Sequence, residues 1–207
     1  ESHPGITVAK RLDGHVLSAL ENGGKVLWFP ERDCYASQTV GGLFQTDYWN
    51  YRMFETISRN NRKPVSPGTM GLLIDPSHPL FRSFPTDFHT NWQWFPIVKQ
   101  SYPLILDYFP KGYRPIVQVI DNIERNHKLG LIFELAVGKG KLLVCMSNLE
   151  AVDDKPEVRQ LYCSMLDYMA SGDFNPKTAV SSGELLRLLQ MRPEETKREE
   201  LRNISFE

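Results

Sequence analysis

The sequence predicts a single α/β domain whose mainly parallel sheet ends in an antiparallel hairpin at one edge. Three observations predict it. Apolar residues Leu12, Val16, Leu17 and Leu20 recur at helical spacing between Arg11 and Asn22, stop at Gly23-Gly24, and give way at once to the apolar run Lys25–Phe29. A helix closed by glycines and followed by a short buried strand is the rhythm of a parallel helix–strand unit. Leu129–Val137 and Lys141–Met146 flank Gly138-Lys139-Gly140, the length and turn chemistry of a hairpin. Val158, Leu161, Tyr162, Met165, Leu166 and Met169 then form one helical face running from Pro156, a suitable first helical residue, to Gly172.

The remaining elements follow in order. Cys34 to Lys63 is aromatic and polar without a clear period, which predicts loops and short helices over the sheet. Gly71–Asp75 reads as a strand broken by Asp75-Pro76. Leu104–Tyr108 and Ile116–Ile120 are apolar runs bounded by Pro110, Gly112 and Pro115, and read as two more. Ser181–Gln190 fits a short helix, and the charge-rich segment 192–207 an exposed tail or a contact to another body. One domain over 1–207 is expected, with its core at about 5–172 and an extension over 173–207.

Composition narrows the function classes. With 41% hydrophobic and 24% charged residues, and no apolar run near the ~18 residues that suggest a membrane span, the chain reads as an ordinary globular protein without a span. Its 24 basic and 25 acidic side chains nearly cancel, and no basic cluster is interleaved with aromatics, so nucleic acid is not an expected partner. An opening at Glu1 without an apolar stretch reads as a mature or trimmed fragment.

Cys34, Cys145 and Cys163 lack Cys-x-x-Cys spacing, which argues against a zinc knuckle or a disulfide framework; Cys145 and Cys163, set in apolar stretches, are expected to be buried free thiols. Cys34 lies just beyond a strand, where a nucleophile could sit, but its neighbours Glu31, Arg32, Asp33, Tyr35 and Ala36 include none of the glycines a strained elbow needs. Asp75, Asp87, Asp107, Asp121, Glu134 and Glu150 all fall near strand ends, and no two stand out as the pair that glycoside hydrolysis requires. His3, His15, His78, His89 and His127 are scattered; only Asp87-Phe88-His89 brings two potential ligands together, so no metal is expected. No glycine-rich phosphate loop is present, and no cofactor is expected.

The densest chemical feature is the run Phe88–Phe95. Asp87, His89, Asn91, Trp92, Gln93 and Trp94 combine flat apolar faces with hydrogen-bonding groups, a mixture that binds sugars or protein partners. The alternative is that Phe88, Trp92, Trp94 and Phe95 cover one side of the sheet.

Gly68-Thr69-Met70-Gly71-Leu72-Leu73-Ile74-Asp75-Pro76-Ser77-His78-Pro79, continued by Phe84-Pro85-Thr86-Asp87-Phe88-His89-Thr90-Asn91-Trp92-Gln93-Trp94, resembles the C-terminal extension of family 2 glycoside hydrolases. Arg114–Asp121, Gly130–Glu134 and Gly140–Cys145 extend the resemblance, which covers about residues 14–170. It implies a flavodoxin-like fold of the class I glutamine amidotransferase-like kind, with helices on both faces of the sheet, also seen in ThuA-like proteins. No Gly-x-Cys-x-Gly elbow is present, so no catalytic residue carries over.

The function so implied is that of a non-catalytic accessory domain acting in glycan breakdown. Its partner would be a glycoside hydrolase catalytic domain in the same polypeptide or another subunit, and a periplasmic or extracellular home is implied by the resemblance alone. Two alternatives stand beside it: a carbohydrate-binding domain using loop 87–95, and a stand-alone ThuA-like enzyme acting on a sugar through Cys34 or the Asp87/His89 pair.

Overall fold

The computed structural model describes residues 3–44, 51–123 and 125–191. The tail expected over 192–207, and part of the segment expected as loops between Cys34 and Lys63, lie outside them. Among the described residues eight strands form one sheet: β1 (Ile6–Ala9), β2 (Lys25–Trp28), β3 (Leu72–Ile74), β4 (Leu104–Ile105), β5 (Val117–Ile120), β6 (Lys128–Val137), β7 (Gly140–Cys145) and β8 (Ala179–Val180). The helices are α1 (Gly14–Glu21), α2 (Tyr51–Asn60), α3 (Phe95–Lys99), α4 (Pro156–Ala170) and α5 (Ser182–Gln190), joined by several short 3-10 turns.

The main path through the sheet is β1-β2-β7-β6-β5-β3, with β4 and β8 pairing on β6. β1, β2 and β7 run parallel, whereas β6 is antiparallel to β7, β5 and β4, and β5 is antiparallel to β3. The expected hairpin is present but central, not at an edge, and the sheet is mixed rather than mainly parallel. The reason is that the outer side of β7 is taken by β2, with Val26 opposite Leu142 and Trp28 opposite Val144.

Burial follows this division. Val26, Leu27 and Trp28 in β2, and Leu142 to Cys145 in β7, are consecutive and buried, so both faces of the parallel half are covered. At the far edge β3 alternates, with Leu72 and Ile74 buried and Leu73 exposed.

Local chemistry sets the ends of these elements. α1 begins at Asp13, whose Oδ1 accepts from the Val16 amide at 2.9 Å. The β6–β7 loop is Gly138-Lys139, with Gly138 at φ 58, as a two-residue loop with glycine in first place requires. α4 carries Leu161, Met165, Leu166 and Met169 into the core from the face that the sequence predicts. Phe174, Val180, Leu185, Leu188 and Leu189 extend the core beyond residue 172, into the segment expected as an extension.

Candidate functional site

The aromatic run is fastened to the β3 edge before it reaches its tryptophans. The Ile74 amide donates to the Phe88 carbonyl at 2.9 Å, and the Leu72 amide to Thr90 Oγ1 at 2.7 Å. Beyond Thr90 the chain enters a 3-10 turn, Trp92–Trp94, that runs into α3. Three side-chain bonds hold the loop in shape: Asn91 Nδ2 donates to Asp87 Oδ2 (3.1 Å), Gln93 Nε2 to the Pro85 carbonyl (2.8 Å) and Trp94 Nε1 to Thr86 Oγ1 (2.8 Å).

The two tryptophans separate. Trp94 is fully buried, edge-on to Phe84 at 5.3 Å and to Phe81 at 6.3 Å between ring centroids. Trp92 is 76% exposed and rests against Phe44 (5.2 Å) and Phe95 (5.8 Å), which themselves meet edge to face at 5.1 Å. A 3-10 turn has three residues per turn, so positions two apart point in different directions, whereas a strand would put both on one side. The expectation that Phe88, Trp92, Trp94 and Phe95 together cover one side of the sheet is therefore corrected: Trp94 alone is core, and Phe88 and Phe95 are exposed along with Trp92.

The polar members of the run serve the loop itself. His89 Nδ1 lies 3.0 Å from the Thr90 carbonyl, which makes that nitrogen the donor, and its ring meets Phe88 edge-on. Asp87 is engaged by Asn91, and among the described residues no hydrogen bond joins it to His89. Asn91 Oδ1 is buried without a hydrogen-bond partner among the described residues.

The carboxylates near strand ends also have individual partners. Asp75 accepts from Ser77, which holds its carboxyl below the usual range; Asp107 meets His127 Nδ1 at 2.7 Å; Asp121 is buried against Arg125; and Glu150 binds Lys10 at 2.6 Å. Glu134 accepts from the Tyr168 hydroxyl at 2.7 Å, yet burial raises its pKa, against the opposing effects of that bond, Lys141 and Lys177.

Cys34 sits exposed inside the 3-10 segment Arg32–Gln38, its sulfur 3.9 Å from Glu31 Oε2. Cys145 is buried, as expected, and burial pushes its thiol up to about 12. Cys163 is exposed, contrary to expectation, because its position on α4 turns away from the face formed by Leu161, Met165 and Leu166. Among the described residues no group of three or more His, Cys, Asp or Glu side chains could hold a metal, and no helix is long and apolar enough to cross a membrane.

A second feature was not anticipated from the sequence. A cleft of about 850 Å³ opens at the carboxyl ends of the three parallel strands, where β1 leads into Lys10, β2 into Phe29–Arg32 and β7 into Ser147–Glu150. Lys99–Tyr102 and the α4 residues Val158, Arg159, Tyr162 and Cys163 complete its walls. Crevices outside the carboxyl ends of parallel strands are where α/β sheets bind ligands, and the volume suits a small molecule. Lys99 lies on its border and reaches over the Phe95 ring at 5.7 Å, so the cleft and the aromatic patch adjoin.

No curated protein matches the chain. A family model described as a domain of unknown function, DUF8487, matches residues 7–190, from β1 through the end of α5. That span takes in both the aromatic loop and the cleft, and the chain belongs to the DUF8487 family.

Proposed function

We propose that this chain is a non-catalytic accessory domain of a family 2 glycoside hydrolase, with a flavodoxin-like, class I glutamine amidotransferase-like or ThuA-like sheet, and that it docks on the catalytic domain through Trp92. The parallel β1-β2-β7 half, with α1 crossing between β1 and β2, supports the fold part of this reading. One observation carries the functional part: Trp92 stands 76% exposed on Phe44 and Phe95, while the loop beneath it is fixed by Asn91, Gln93 and Trp94. A large aromatic ring on a rigid frame loses little conformational freedom when covered, which is why tryptophan dominates docking energetics.

The test is to titrate the purified chain against the catalytic barrel of a family 2 glycoside hydrolase from the same source, by calorimetry. Trp92→Ala should weaken the complex by about 2 kcal/mol or more, roughly thirtyfold, as truncation of a central tryptophan does. Equal binding by the variant, or hydrolysis of nitrophenyl glycosides by the chain alone, would sink the reading.

A carbohydrate-binding role is the second reading, because the exposed Asp87 and His89 lie on the same loop as Trp92. It requires oligosaccharides to change the tryptophan fluorescence of the chain and Trp92→Ala to abolish the change, with no barrel present.

A further inference from the structure

We propose that the cleft at the carboxyl ends of β1, β2 and β7 binds a small carboxylated six-membered ring, a site distinct from the Trp92 patch and beyond the docking role. Its charge is the first ground. In a chain of formal net charge −1, the cleft gathers Lys10, Arg32, Lys99 and Arg159 against Glu31, Glu150 and Asp153. Two of those carboxylates are engaged, Glu150 by Lys10 at 2.6 Å and Glu31 by Arg11 at 2.8 Å. Arg32 has no carboxylate partner among the described residues. Arg159 Nη1 donates to the backbone carbonyls of Asp153 and Asp154, so its guanidinium is fixed near the Asp154 carboxylate, which Lys155 and, to a lesser extent, Arg159 hold below its usual range, but forms no direct ion pair among the described residues. Positive charge is therefore in excess, and a planar guanidinium matches a carboxylate bidentately.

The end of α4 is the second ground. The 15-residue helix α4 starts beside the cleft with no side chain capping its first turn, and Val158 and Arg159 of that turn line the wall. The partial positive charge of a helix start, offset in part by Glu157 in the same turn, adds to that of the two arginines.

The third ground is the apolar floor. Phe29 and Tyr162 both line the cleft, with ring centroids 6.1 Å apart and planes tilted by 31°, and offer continuous ring surface to a ligand. Gln100 and Asn148 stand at the wall with amide groups suited to hydroxyls. A sugar acid and an aromatic acid share the chemistry these groups recognise, a ring with one carboxylate.

Amide chemical shifts of the whole chain, followed through titration with glucuronate, benzoate, glucose and inorganic phosphate, test this. Either carboxylate should shift the amides of Lys10, Arg32, Gln100 and Asn148, and whichever binds more tightly identifies the ligand as sugar acid or aromatic acid. The exposed pair Arg32→Gln and Arg159→Gln together should weaken that binding by about tenfold or more, since each loses a charged hydrogen bond to the carboxylate. Trp92→Ala, which tests the docking role, should leave these shifts unchanged, so the two ideas fail separately. The proposal is overturned if glucose or phosphate binds as tightly as the carboxylates, if the double variant binds as the natural chain does, or if millimolar carboxylate leaves the cleft amides unmoved.

Discussion

Trp94 gives all of its surface to Phe81, Phe84 and their neighbours, and its indole N–H to Thr86, whereas Trp92 keeps three quarters of its surface in solvent. Replacing each with alanine separates the two roles. Trp94→Ala leaves a cavity in the core and should lower the free energy of unfolding in urea by about 3–5 kcal/mol. Trp92→Ala should change it by no more than about 0.5 kcal/mol, as expected for an exposed position. Glu134 supplies a prediction in pH. Burial raises its folded pKa above the unfolded value, so the folded state holds this proton more tightly and binds more protons in between. Stability contributed by Glu134 is then present below the ordinary carboxylate range and declines as pH rises through the folded pKa. Glu134→Gln should remove that part of the decline in melting temperature as pH rises out of the ordinary carboxylate range, while keeping an acceptor for Tyr168. Both tryptophans were identifiable as candidate site residues in the sequence, but their opposite burial was not, because it depends on a 3-10 turn of three residues that has no hydrophobic period to read.

At the scale of elements, the hairpin and α1 are closely packed. A Cβ on Gly140 would lie 2.5 Å from the Leu20 carbonyl oxygen and 2.6 Å from that of Gly24, both backbone atoms that have little room to yield. Gly140→Ala should cost about 1–3 kcal/mol by overpacking, measurable as a lowered midpoint in thermal or urea unfolding. α1, the hairpin and α4 were legible because each carries its own signal: Gly23-Gly24 after a helical period, two glycines between apolar runs, and a long one-sided apolar face. β1 and β8 were not, since four and two residues are too few to show a period. The central place of the hairpin was equally hidden. Turn residues specify that β6 pairs with β7, but nothing near Lys141 specifies that its other neighbour is Lys25.

For the molecule as a whole, the core is continuous from α1 to α5, with Leu185, Leu188 and Leu189 as buried as the strands. Ending the chain at residue 172 would remove these, together with Phe174 and the β8 pairing on β6. The shortened chain should lose near-ultraviolet circular dichroism and elute as an expanded or aggregated species, whereas a chain ending at residue 191 should keep both signals. The cleft belongs to this scale too. Its walls come from five separate stretches between Val8 and Cys163, so no local motif marks it, and the general rule about strand ends could have pointed there only with β1 in view.

The pairing of β2 with β7 has one more consequence, for synthesis. β2 ends at Trp28 and its partner strand begins at Gly140, so the ribosome adds about 110 residues before that side of β2 is covered. At about 5–20 residues per second, a strand with Val26, Leu27 and Trp28 waits roughly 5–20 s with an open edge. During that interval the nascent chain presents an apolar template to any neighbouring strand, a hazard that chaperone binding to the segment around β2 would reduce.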